Sequence, residues 1–146
     1  MKKCIVLLVA IVFVFLALPT IVAQELPKAT KYEKVTWYTV GYYKYKSGKV
    51  DDAQKLLSDY FIPADKASGR AVINFDYLTG DWHHVAYFPM DGGASGLEWR
   101  VAPSDEKWWA ALAKIAGSIE KAQELNDKFN EMVEESKTEV AMSPIP

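Results

Sequence analysis

The chain has 146 residues, 17 basic and 19 acidic, and a formal net charge of −2, so it is long enough for one ordinary domain but lacks the basic excess that nucleic-acid binding requires. Its one cysteine is Cys4, which precedes the first apolar run and leaves everything after it without a thiol.

That first run has the layout of a secretion signal. Lys2 and Lys3 lead into the apolar stretch Ile5 to Leu18, followed by Pro19 and small residues up to Ala23. An uncleaved anchor is the alternative, because Cys4 to Ala23 approaches the roughly 20 apolar residues that span a bilayer. Pro19 breaks a helix there, and Gln24, Glu25, Lys28 and Lys31 follow at once. Residues 1–23 are therefore read as a signal peptide cut after Ala23, and the protein as exported, periplasmic or secreted. Cleavage would leave 15 basic residues against 19 acidic ones, a charge of −4. It would also remove Cys4, and with it disulfides, thiolate metal sites and a thiol nucleophile. No later segment is apolar enough to cross a membrane, so no membrane contact is expected after cleavage.

Residues 24–34 are polar and without periodicity, and read as a flexible linker to a single domain, 35–146. Val35 to Lys46 is rich in β-branched and aromatic residues and ends at Ser47-Gly48, which predicts a strand closed by a turn. Its two faces are both aromatic: Trp37, Tyr43 and Tyr45 on one, Tyr38 and Tyr42 on the other. From Val50 to Ala67 the apolar residues recur at helical spacing, with Asp51 and Asp52 at the positive end of the helix dipole and Gly69 as C-cap. Pro63 should end or kink this helix near Phe61.

Arg70 to Met90 reads as a hairpin, AVINFDYL and DWHHVAYF about Thr79-Gly80. A flexible loop follows from Met90 to Gly96. Leu97 to Val101 suggests a short strand. Pro103 to Glu106 then starts a helix whose apolar stripe runs almost thirty residues to about Ser136, with Gly117 and Asn126 as its weak points. The tail TEVAM supplies a last short strand. The order β-α-β-β-α-β predicts an α+β, ferredoxin-like antiparallel sheet packed by two helices, the second unusually long.

The aromatic first strand, "KSGKVDDAQKLL" leading into a helix and the hairpin turning at "TGDW" together resemble the small domains of the dimeric α+β barrel superfamily, over about half of the mature chain. The resemblance implies a ferredoxin-like sheet, a homodimer in which two sheets form a barrel, and a pocket beside each sheet; familiar members are antibiotic-biosynthesis-type monooxygenases and haem-degrading enzymes.

A two-residue turn at Thr79-Gly80 would pair Tyr77 with Trp82, Asp76 with His83, Phe75 with His84 and Asn74 with Val85. An Asp beside a His fixes the imidazole tautomer and raises its basicity, so Asp76 and His83 are the candidate catalytic pair, with a solvent-exposed Asp-His pair as the bland alternative. That register depends on the turn, because a slip of one residue would exchange the faces. His84 points to the other side, as a core histidine or a lone axial haem ligand. Two divergent histidines and no cysteine argue against a metal site. Trp37, Tyr43, Asn74, Tyr77, Trp82 and Tyr87 are the candidate ligand-binding residues, suited to a planar or amphipathic small molecule. No cofactor can be named. Phosphate-loop and dinucleotide patterns are missing from "DGGASG". Three readings stay open: a small-molecule-binding domain of apolar or aromatic specificity, a monooxygenase-like enzyme using His83 and Asp76, and a structural or interaction protein of the cell envelope that presents the acidic helix 104–136.

Overall fold

The computed structural model describes residues 26–144; the predicted signal, residues 1–23, and the first two linker residues lie outside them. The chain divides between Lys31 and Tyr32 into two units, and all the regular structure among the described residues lies in the second. Strand β1 (Val35–Tyr45) is the aromatic segment. Helices α1 (Val50–Leu56) and α2 (Ile62–Ser68) follow, joined by one π-helical turn, Leu57–Phe61. Strand β2 (Ile73–Asp76) and strand β3 (His84–Pro89) come next. A 3₁₀ turn at Gly93–Glu98, helices α3 (Pro103–Ala116) and α4 (Ile119–Met132), and strand β4 (Val133–Pro144) complete the chain. The strands form one antiparallel sheet in the order β2-β3-β1-β4, with the helices on one face.

Pro63 interrupts the helical pattern near Phe61, as expected, through a π turn rather than a full stop. The π turn absorbs it: the Ile62 N–H reaches back five residues to the Leu57 carbonyl, and Pro63 then occupies the first turn of α2, where its missing N–H costs little. The wider turn also offsets the roughly 40° by which residues four apart drift round an α-helix. Leu57, Phe61 and Asp65 therefore all face the sheet side of the helical layer.

The long second helix is two helices. Gly117 adopts φ 96°, a left-handed conformation that ends α3, and the Ser118 hydroxyl accepts from the Lys121 N–H at 3.2 Å to start α4. The apolar stripe crosses the break because both helices bury their residues, Leu112 and Ala122 foremost, in the same core with Phe61 and Phe129. The second helix ends at Met132 rather than Ser136, and the last strand is longer than TEVAM, pairing with β1 along nearly its whole length. Leu97 to Val101 forms no strand.

The hairpin is the largest departure. Phe75 lies opposite Val85 and Asp76 opposite His84, one residue from the expected register, and the connection spans the seven residues from Tyr77 to His83. Thr79-Gly80 supplies only one left-handed residue, Gly80 at φ 94°, which is too little for the tightest hairpin turn. The slip turns Asn74 and Asp76 toward the helices and leaves Ile73, Phe75 and Tyr77 on the opposite face, 45%, 52% and 47% exposed.

Two substitutions test this packing. Leu112→Ala, at a position with no exposure, is expected to cost about 2–5 kcal/mol of stability. Gly117→Ala, which forces a side chain into the left-handed turn, is expected to cost about 1 kcal/mol. Chemical denaturation followed by circular dichroism measures both.

Candidate functional site

Between sheet and helices lies a cavity of about 340 Å³. Its floor is the centre of the sheet, where two small residues face each other: Gly41 on β1 is the partner of Ala86 on β3. Gly41 is required there. A Cβ on it would stand 2.8 Å from the Tyr43 hydroxyl oxygen, because the Tyr43 ring folds back over the glycine. Phe61 and Leu57 from the π turn, Trp108 from α3 and Phe129 from α4 form the apolar walls. The rings interlock, Phe61 lying 5.4 Å from both Trp108 and Phe129 and Tyr43 lying 5.6 Å from Phe129.

Polar groups enter this apolar space from two sides. On the sheet, His84 is 3% exposed; its Nδ1 is 2.8 Å from Asp76 Oδ1, and its Nε2 is 3.2 Å from Asn74 Oδ1. A carboxylate only accepts, so Nδ1 carries the proton and donates to Asp76. Asn74 can serve Nε2 in either state, accepting through its oxygen from an imidazolium or donating through its amide nitrogen to a neutral ring, since its amide orientation is a matter of assignment. On the helical side, Asp65 is 8% exposed and Arg70 stands beside it, Nε to Oδ1 3.8 Å. Arg70 also lies 3.5 Å from Asp105, and its guanidinium covers the rings of Phe88 and Trp108 at 5.1 and 5.8 Å. Both carboxylates are farther than the roughly 2.7–2.9 Å of a charge-assisted hydrogen bond. Asp65 Oδ1 has no hydrogen-bond partner among the described residues.

Burial pushes the Asp65 carboxyl up from 3.8 to about 6, against the opposing pull of Arg70. The Tyr43 hydroxyl is also raised, first by burial and then by Asp65, while Arg70 opposes. A second cavity of about 310 Å³, under the loop Asp91 to Trp99, shares Arg70, Phe88 and Asp105 with the first. Arg70 therefore stands at the boundary between the two.

The expected catalytic pairing is corrected by this geometry. Asp76 bonds to His84, because the one-residue slip places those two side chains on one face. His83 is engaged elsewhere: its Nδ1 accepts from the Tyr45 N–H at 2.8 Å, and its ring stacks on Tyr45 at 5.8 Å with an interplanar angle of 4°. Of the expected ligand-binding residues, Tyr43 and Asn74 line the main cavity. Trp37 lies beneath the 3₁₀ turn, its ring 3.2 Å from where a Cβ on Gly93 would stand. Tyr87 packs on the other face, against Tyr38 and Phe75, and Trp82 packs against Tyr42. Tyr77 is on that face too.

No known family model matches the chain, and no curated protein matches it in sequence. Solved structures do match in shape. A NIPSNAP family protein of unknown function from Agrobacterium tumefaciens strain C58 superposes with a TM-score of 0.50 at 13% identity, covering 75% of this chain and 88% of that one. An uncharacterized NIPSNAP domain protein from Burkholderia xenovorans gives 0.48 at 13% identity, covering 75% and 93%. A dimeric ferredoxin-like protein from an uncultured marine organism gives 0.43 at 10% identity, covering 80% and 94%. The fold is α+β and ferredoxin-like.

In this fold Asp65, Arg70, Asp105, Asn126 and Asn130 join the cavity wall, although none of them was among the expected site residues. Asp65 carried the one readable signal: an acid four residues after Phe61 and next to Ala64, on the buried stripe of its helix. Among the described residues no three His, Cys, Asp or Glu side chains gather to hold a metal ion, and no helix is long and apolar enough to cross a membrane.

The raised carboxyl yields a pH-dependent outcome. A folded pKa of about 6 against 3.8 means that Asp65 contributes stability while protonated, below pH 4, and loses that contribution as pH rises through 6. Asp65→Asn, neutral throughout, should match or fall below the wild type near pH 4 and exceed it at pH 8. The difference should swing by on the order of 2–3 kcal/mol, read from melting curves across that range.

Proposed function

We propose that this small α+β domain is exported and binds an apolar or aromatic small molecule in the cavity beside His84. One observation supports the reading above all: an aromatic-walled space of about 340 Å³, the size of a small-molecule pocket, into which a buried histidine and a buried Asp-Arg pair converge. A layer interface serving stability alone would be expected to close over such groups rather than leave a carboxylate oxygen without a hydrogen bond beside a void. Titration with 2-(1-naphthyl)ethanol, followed by calorimetry, checks this. Saturable binding is expected in the wild type, weakened at least tenfold by Ala86→Leu, which fills the floor. Unchanged binding in that variant would move the ligand elsewhere.

The opposite sheet face suggests a second copy of the chain. Ile73, Phe75 and Tyr77 are about half exposed there, and Leu78 is 96% exposed at the adjoining loop. Tyr38, Phe75, Tyr87 and Met142 outline a further shallow cavity of about 320 Å³. An apolar strip of this kind is ordinarily covered by a partner. Native mass spectrometry of protein recovered from outside the cytoplasm tests export and assembly together. The expected species is a dimer of chains that begin at Gln24, reduced to monomer by Phe75→Glu. A wild-type monomer at tens of micromolar would overturn the assembly, and a chain retaining Met1 would overturn cleavage.

An enzymatic reading is favoured by the Asp76–His84 contact, the carboxylate-imidazole arrangement of a general base. It assigns to His84 the part expected of His83, and it requires Nε2 to exchange Asn74 for substrate.

A further inference from the structure

Resting on the binding role proposed for the main cavity, we infer that its ligand is an organic cation, an aromatic or amphipathic amine whose ammonium group is taken by Asp65. Asp65 is more than nine-tenths buried, it lines the cavity, and its Oδ1 lacks a hydrogen-bond partner among the described residues. An unsatisfied buried carboxylate oxygen is costly unless something donates to it, and the lost hydrogen bonds return when a donor arrives.

Arg70 is the obvious alternative anchor, for an anionic ligand. Its surroundings argue against that use. The guanidinium is already flanked by Asp65 and Asp105, and a carboxylate brought to it would stand close to both acids. A third carboxylate, Asp76, lies directly behind His84. Two lining acids against one permanent cation give the cavity a negative bias, so an anion is opposed and a cation is drawn in.

The walls act in the same direction. Tyr43, Phe61, Trp108 and Phe129 line the cavity with aromatic rings, the kind of wall that attracts positive charge, and Arg70 already lies over Phe88 and Trp108. A neutral aromatic ligand would gain the apolar contacts, and a hydroxyl on it can donate to Asp65, but it brings no charge to offset the carboxylate. An ammonium group on the same body donates and brings that charge.

Binding of such a cation is coupled to the carboxyl proton, because the amine needs Asp65 ionised. The groups that share the cavity with it are Tyr43 on β1, His84 on β3, Arg70 before β2 and Asp105 on α3; α4 contributes the uncharged Asn126 and Asn130. Affinity for the amine should therefore rise severalfold as Asp65 ionises around pH 6.

Three isosteric probes separate the outcomes: 2-(1-naphthyl)ethylamine, 2-(1-naphthyl)ethanol and 1-naphthylacetate, titrated at pH 7.5 into wild type and Asp65→Asn. The expected result is an amine at least tenfold tighter than the alcohol and an acetate weakest, with Asp65→Asn erasing the amine's advantage over the alcohol. Equal affinities for amine and alcohol, a preference for the acetate, or an amine preference that survives Asp65→Asn would each overturn the inference while leaving the cavity's binding role in place. Failure of all three probes would overturn both. Should Asp65→Asn not fold, the wild-type ranking decides the matter by itself.

Discussion

A buried imidazole must have both ring nitrogens satisfied, and in this domain that requirement governs the central hairpin. His84 is almost fully enclosed between sheet and helices, where an unpaired nitrogen would carry a desolvation penalty of about 1–3 kcal/mol. β1 flanks it on one side with Tyr43 and β2 on the other, and with Asp76 directly opposite both Asp76 and Asn74 reach the ring. The register of the sheet edge is thus fixed by polar groups on the inner face. Its apolar residues follow by alternation to the outside, because a strand cannot bury both sets on one side. One polar contact in this way sets both the character of the cavity and the exposure of Ile73, Phe75 and Tyr77.

The cavity is an outcome of residue size as much as of fold. Near the end of β1 the two layers meet firmly, Tyr45 and Phe129 packing edge to face at 5.9 Å. Further along the sheet, Ala86 stands where a larger side chain would close the gap, while the Tyr43 ring lies over Gly41. The π turn adds to this by keeping Leu57, Phe61 and Asp65 on the side that faces the space. A helix without that turn would carry Asp65 progressively away from it. The bulge therefore connects a backbone irregularity, forced in part by Pro63, to the placement of the least satisfied acid in the domain.

Much of the architecture was legible because it is written in periodicity. The aromatic first strand, the helical stripe from Val50, the existence of a hairpin and the stripe from Trp108 each repeat a pattern over many residues, and together they specify a ferredoxin-like order. The hairpin register was not legible, since it turns on a single residue: the pattern AVINFDYL places apolar side chains at Ile73, Phe75 and Tyr77, and burial of that set is the natural expectation for an isolated sheet. Tertiary context reversed it. The split at Gly117 was readable only as a weak point, because the stripe continues in phase across the break. His83 and His84 were distinguishable only through register, so pairing Asp76 with the neighbouring histidine is the form the error had to take. Asp65 and Arg70 were harder still; they are adjacent to the cavity only after α2 and the start of the hairpin have been folded against α3.

The same constraint explains why two charged sets can coexist in one small domain. Asp76 is partly open to solvent and can hold its charge, so it orients His84 without being desolvated itself. Asp65 has no such outlet. Its one cation is shared with Asp105 and held over two aromatic rings, positioned by packing rather than by close hydrogen bonds. Drawing Arg70 onto Asp65 would satisfy the acid, but it would lift the guanidinium from Phe88 and Trp108 and away from Asp105. The competing attractions leave the acid under-satisfied in the folded protein, and an acid in that condition, in an aromatic-lined cavity, is a natural point for an added positive charge to be accepted.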